Sequence, residues 1–168
     1  ATRRAEAHGC TVRAIACDIA DSASVDHLFT TALKDSLPLR GIMHAAGILD
    51  DSPLSEQSLD SLLRVAGPKI DGAQNLTRAA SRAPLDWFVL FSSSSAMFGG
   101  PGQANYAGAN AWLDSLAAHG RSEGRPITSI GWGAWADVGM AARLPESVRQ
   151  RWERIGLGQI GVEAGLDA

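Results

Sequence analysis

Residues 91–111 read FSSSSAMFGGPGQANYAGANA, and this stretch decides the fold. The apolar run that enters it, residues 86–91 (DWFVLF), has the pattern of a buried parallel strand. The serines therefore fall at that strand's C-terminal end. Gly99, Gly100 and Gly102 then break the chain, and a helix is expected over residues 103–119. On such a helix Tyr106 and Asn110 share a face, because residues four apart are neighbours. Ser93 lies thirteen residues before Tyr106, close enough for all three to meet around one small pocket. Open α/β sheets bind their ligands at this end of the strands.

Working outward, strands are expected at residues 11–16 (TVRAIA), 39–46 (LRGIMHAA, ending at Gly47) and 126–132 (PITSIGW). Helices are expected over 22–36, with Ser22 as N-cap, over 55–82, bent near Gly67-Pro68, and over 145–155 (PESVRQRWERI). Strands alternating with helices indicate a parallel sheet with helices on both faces. The usual order of a dinucleotide-binding sheet is 3-2-1-4-5-6, and residues 11–16 then read as strand 3. On this reading the first βαβ unit, with its phosphate-binding turn, is lacking. Residues 1–168 read as the C-terminal part of a single catalytic domain, and by themselves they are not expected to bind cofactor. Residues 156–161 (GLGQIG) match G-x-G-x-x-G, but a charged helix precedes them and only seven residues follow. That context is wrong for the dinucleotide fingerprint, so a turn is expected there.

The 168 residues suit one domain with a sizeable core. A net charge of −3 gives no reason to expect nucleic acid or an anionic membrane as partner. No apolar run reaches the ~18 residues that span a bilayer. Cys10 and Cys17 do not have metal spacing and read as reduced structural thiols, which points to the cytoplasm. No metal site is expected.

The motif Ser93…Tyr106-x-x-x-Asn110 resembles that of short-chain dehydrogenases/reductases, in the variant found in ketoreductase domains of modular type I polyketide synthases. Ordinary members of the superfamily carry Lys where this chain has Asn110. In the polyketide variant the lysine comes from an earlier helix, in a run such as Pro-Lys-Val-Asp-Gly. This chain has PKIDG at 68–72, and Lys69 is one of only two lysines. The resemblance continues in ACDIAD (16–21), HAAGILDD (44–51) and GWGAWADVGMA (131–141), and covers nearly the whole chain. It implies a Rossmann-like sheet. It also implies NADPH-dependent reduction of the β-keto group of a β-ketoacyl thioester carried on an acyl carrier protein, alongside other synthase domains.

The resemblance assigns roles residue by residue. Tyr106 would protonate the alkoxide left by hydride transfer. A phenol of pKa near 10 is a reluctant acid at neutral pH, and the Lys69 ammonium is expected to lower it. Ser93 would hold the carbonyl oxygen, and Asn110 would position Lys69 or a relay water. Ser92, Ser94 and Ser95 read as hydroxyls that cap backbone groups. Asp18 and Ile19, Ala45, Ala46 and Gly47, and Gly131, Trp132 and Gly133 resemble segments that line the cofactor, as Lys69 and Tyr106 also do. For Asp18 an Asx-turn cap is the competing reading, and His44 reads as structural.

Leu49, Asp50 and Asp51 match the Leu-Asp-Asp pattern of the B-type, which gives a D-configured hydroxyl. Pro101 and Asn105 match it too, Phe98 stands where A-type domains have Trp, and Met140 falls where the substrate lid begins. On its own, Asp50-Asp51 before Pro53 would read as a turn and helix cap. Two rival functions remain: a non-catalytic fragment, and a stand-alone reductase of a soluble ketone. Asn110 in place of Lys argues against the second.

Overall fold

In a computed structural model of the chain, residues 8–32, 38–136, 138–139, 150, 154, 156 and 158–167 are described. The elements in chain order are α1 (Ser22–Ala32), β1 (Gly41–His44), a 3-10 turn (Leu54–Glu56), α2 (Leu59–Ala66), a π turn (Gly67–Asp71) and α3 (Gly72–Ala79). They continue with β2 (Trp87–Ser93), α4 (Ser95–Phe98), α5 (Ala104–Ser122), β3 (Ile127–Trp132) and α6 (Val162–Leu166). The three strands form one parallel sheet in the order β1-β2-β3, with Ile42, Phe88 and Ile127 in one row and His44, Leu90 and Ser129 two residues further along.

The pleat sends alternate residues to opposite faces. Ile42, Phe88, Leu90 and Ile127 form the main core with Val25 of α1, Ala73 and Leu76 of α3, and Leu113 and Ala117 of α5. On the other face Phe91, Trp132 and Trp135 stack in sequence, with centroids 5.5 and 4.8 Å apart, and Gly165 of α6 lies against Trp135. The sheet is thus flanked by helical elements, as the alternation of the sequence indicates. Leu113 is fully buried. Leu113→Ala is expected to cost about 2–5 kcal/mol, as buried Leu truncations do, read as a lower midpoint in urea unfolding.

Several expectations are corrected. Residues 11–16 form no strand, and Val12 and Ile15 are exposed. A strand exists only through its ladder, and no described segment pairs with this one. The next strand is shorter than residues 39–46, because pairing with β2 spans only Gly41–His44. The cap of α1 is Asp21, not Ser22. Its carboxylate accepts from the Ser24 amide at 2.9 Å and the Ser24 hydroxyl at 2.6 Å, and these bonds hold it below the usual carboxylate range. Residues 156–161 hold more than a turn, since the Ile160 amide donates to Ala134 O and Ile160 O accepts from Ala136 N–H. The helix expected over 145–155 falls almost entirely outside the described residues, as does Met140.

The helical stretch expected over 55–82 is segmented. Ser58 caps α2 by accepting from the Ser61 amide at 3.1 Å. Pro68 has no N–H and its ring crowds the carbonyl one turn back. The chain absorbs this as a wider π turn, closed by the Gly72 amide on Gly67 O. Such turns are frequent at functional sites, and this one rolls Lys69 inward until it is 3 % exposed.

Candidate active site

Four elements bring their side chains to the C-terminal end of the sheet. β2 ends in Ser92 and Ser93, α5 supplies Tyr106 and Asn110, the π turn supplies Lys69, and the segment after β1 runs past them. Tyr106 packs its ring against Val65 and Ala109, with Leu49 and Ile70 at the margin. The Ser93 and Asn110 side chains lie near enough to its hydroxyl to favour the phenolate. Lys69 Nζ lies 5.4 Å from the Tyr106 ring centroid and donates to Phe91 O at 3.0 Å. Gly47 makes room for it, since a Cβ there would stand 3.0 Å from Lys69 Cε.

The electrostatics differ from the sequence expectation. Burial pushes the Tyr106 phenol up, the Asn110 and Ser93 side chains pull it down, and the negative charge of Asp51 adds to the rise. Lys69 sits over the ring instead of bonding to the hydroxyl, and in the resting site burial outweighs the lowering its charge would bring. Burial also lowers Lys69 itself to about 8, and Asp114 partly restores its charge. Asp114 follows Asn110 by four residues and so belongs to the same helix face, a spacing that could have singled it out.

Asn110 is fully buried, with Nδ2 donating to Tyr106 O at 2.8 Å and Oδ1 without a protein partner. Its backbone carbonyl accepts from the Ser92 hydroxyl at 3.2 Å, so Ser92 caps a backbone group as expected. The capping roles of its neighbours are otherwise redistributed: Ser93 Oγ accepts the Ser95 amide at 3.2 Å, while Ser95 Oγ is buried without a partner. His44 is buried behind Lys69 and, with Nε2 protonated, donates to Lys69 O at 3.3 Å. Desolvation lowers its pKa, so it is neutral and structural at neutral pH.

The remaining candidates are spread around this centre. Ala45 is exposed and Ala46 and Gly47 are half-buried, leaving backbone open at the end of β1. Gly131 packs against the Ser93 backbone, Gly133 against Ile160, and Trp132 Nε1 is a buried donor without a partner. The open backbone at Gly47 beside Lys69 and the unpartnered Oδ1 of Asn110 beside Tyr106 fit the nicotinamide end of a dinucleotide. Asp18 is exposed and accepts the Ala20 amide at 3.0 Å, which is an Asx-turn. Ile19 is half-buried, and its carbonyl and that of Ala20 accept from Asn75 Nδ2.

Asp50 pairs with Arg64 at 3.0 Å and Asp51 accepts from Gln103 at 2.9 Å. Neither caps a helix. Asn105 is buried, whereas Pro101 and Phe98 are exposed. A cavity of about 290 Å³ opens beside Ser93, between α4, α5 and the end of β3, but neither Tyr106 nor Lys69 lines it. Among the described residues there is no cluster able to hold a metal ion, and no helix is long and apolar enough to cross a membrane. Sequence reasoning missed Gln57 and Ser61, which bond to this region from a distance and carry no motif.

Comparison with known proteins places this geometry among relatives. A model of the KR domain matches residues 1–137. Over 122 residues, 73 % of this chain, the sequence is 45 % identical to the phthioceranic/hydroxyphthioceranic acid synthase of Mycobacterium bovis, of which the chain spans 6 %. The first-module ketoreductase of phoslactomycin biosynthesis from Streptomyces sp. HK803 superposes with a TM-score of 0.89 at 36 % identity, over 96 % of this chain and 36 % of that one. An A-type ketoreductase from a modular polyketide synthase superposes at 0.91 and 38 % identity, over 99 % and 34 %.

Proposed function

The chain belongs to the KR domain family, and from that premise we propose that it is part of a single catalytic domain that reduces the β-keto group of an acyl-carrier-protein-bound β-ketoacyl thioester with NADPH, giving a D-configured β-hydroxyacyl thioester. It would work beside other domains of a polyketide synthase, and the same reading keeps it in the cytoplasm. The observation that carries the proposal is the meeting of Tyr106 with Ser93, Asn110 and the buried Lys69 at the end of a parallel sheet.

The chemistry follows from these positions. NADPH, when bound, supplies the hydride. Ala45, Ala46, Gly47, Gly131, Trp132 and Gly133 would line its nicotinamide end together with Lys69 and Tyr106, and Asp18 and Ile19 would lie toward its far end. Ser93 Oγ holds the carbonyl oxygen. Tyr106, kept protonated at neutral pH by its raised pKa, donates its proton to that oxygen as it gains negative charge. Lys69 then stabilises the phenolate left behind, and Asn110, whose Oδ1 is free of protein partners, can carry a water through which the proton is replaced. Proton transfer of this kind contributes roughly 10²–10⁴-fold.

The D hand is proposed from the sequence pattern Leu49-Asp50-Asp51 together with Phe98, Pro101, Asn105 and Met140. The backbone does not decide the hand, since an A-type domain superposes with a TM-score of 0.91. In the full-length protein, a β-ketoacyl thioester and NADPH are expected to yield one D-configured alcohol on chiral chromatography. An L-configured product would remove the B-type assignment alone. Absence of NADPH oxidation would remove the reductase reading.

A further inference from the structure

The loop at 50–53 stands beside Tyr106, and a path of hydrogen bonds fixes it there. The Ser52 amide donates to Gly102 O at 3.0 Å. Gly102 has φ +76°, and its lack of a side chain lets the two backbones approach, since a Cβ would lie 3.4 Å from Ser52 N and O. Gln57, just after the 3-10 turn, donates through Nε2 to Ser52 O at 3.2 Å and to Gly102 O at 3.3 Å. Its Oε1 accepts from Ser61 Oγ at 3.4 Å. Ser61 is buried and in turn accepts from Asn105 Nδ2 at 3.2 Å. Asn105 also donates to Asp50 O at 2.8 Å and accepts the Tyr106 amide at 2.7 Å. The path thus runs unbroken from the loop to the backbone of Tyr106, joining segments more than forty residues apart in the chain.

A ketone is planar and offers two faces. With the proton donor fixed on one side, the wall of chain beside that donor decides which face is presented. Asp51 lies in that wall, near enough for its charge to act on the Tyr106 phenol. Resting on the reading of the site as a reductase, we propose that Gln57 and Ser61 are positioning residues that hold the 50–53 wall against the first turn of the Tyr106 helix, and thereby set the hand of the product. Buried polar groups joined in this way lose their geometry when one partner is removed, because the others are left unsatisfied.

The test uses the full-length protein, NADPH and a β-ketoacyl thioester, with the ratio of the two product hands, kcat and KM measured together with the melting temperature. Gln57→Ala removes the tie. Gln57→Glu keeps its shape but turns an oxygen toward two carbonyl oxygens, so it carries the test should the alanine variant melt early. Both are expected to erode the hand ratio roughly tenfold, within the ~10²-fold that a misplacement of about 1 Å can cost, with kcat falling more than KM rises. Ser61→Ala is expected to do the same to a smaller extent. Folded variants that keep the wild-type ratio overturn the inference, whatever happens to their stability. A wild type that reduces no thioester overturns the reductase reading and this inference with it. A wild type of single hand, matched by its variants, overturns this inference alone.

Discussion

Tyr106→Phe is expected to lower kcat for thioester reduction at least a hundredfold, toward the roughly 10²–10⁴-fold that general acid catalysis is worth. The substitution deletes only the hydroxyl. The ring keeps its contacts with Val65 and Ala109, and the helix keeps the Asn105 and Asn110 bonds that involve only the Tyr106 backbone. Melting temperature should therefore change little. NADPH oxidation and thermal unfolding, followed on the same preparation, check both halves of the expectation. Turnover near that of the wild type would show that the proton comes from elsewhere.

Lys69→Met is expected to slow reduction at least tenfold at neutral pH and, in the same protein, to raise stability. Burial has lowered Lys69 from 10.5 to about 8. Below pH 8 the lysine is charged in both folded and unfolded chains, and only the folded chain bears the desolvation. Between about 8 and 10.5 the folded chain has released the proton and the unfolded chain still holds it. Wild-type stability therefore rises with pH across this window. Methionine has no such penalty but gives up the bond to Phe91 O, so the variant should be more stable at neutral pH by on the order of 1–3 kcal/mol, and the gap should vanish toward pH 10.5. Wild-type reduction should also fall as pH passes about 8, where the cation that stabilises the phenolate is lost, and the variant should lack that limb. Urea unfolding and pH–rate profiles of the two proteins test this pair of signs. A variant that is no more stable, with an unchanged profile, would make Lys69 a structural residue.

That trade is common where a charged group is buried for function. It also explains why the chain keeps a lysine in an otherwise arginine-rich protein. An ammonium adjusts its pKa when buried, whereas a guanidinium stays charged at any accessible pH.

The order of elements around β2 was legible in the sequence because the signals are local. A buried strand is an apolar run, a glycine cluster is a turn, and a spacing of four places Tyr106 and Asn110 on one helix face. The Gly67-Pro68 break was equally legible, since proline cannot continue the helical ladder. Those same signals brought Ser93 to a strand end, whereas Lys69 is singled out only by the resemblance of residues 68–72 to the Pro-Lys-Val-Asp-Gly run. Local pattern could not decide residues 11–16, because a strand needs a neighbour to pair with and its own composition does not supply one. Nor could it decide what Lys69 does. Only the fold shows the ammonium on Phe91 O and over the Tyr106 ring, where burial outweighs the expected lowering of the phenol. The tie from Gln57 through Ser61 and Asn105 belongs to the same class. Its residues follow no periodicity, and their chemistry exists only once distant segments have been packed together. Periodicity is written along the chain, but burial and hydrogen-bond partnership are properties of neighbours in space, and for this protein those neighbours determine how its acid and its cation behave.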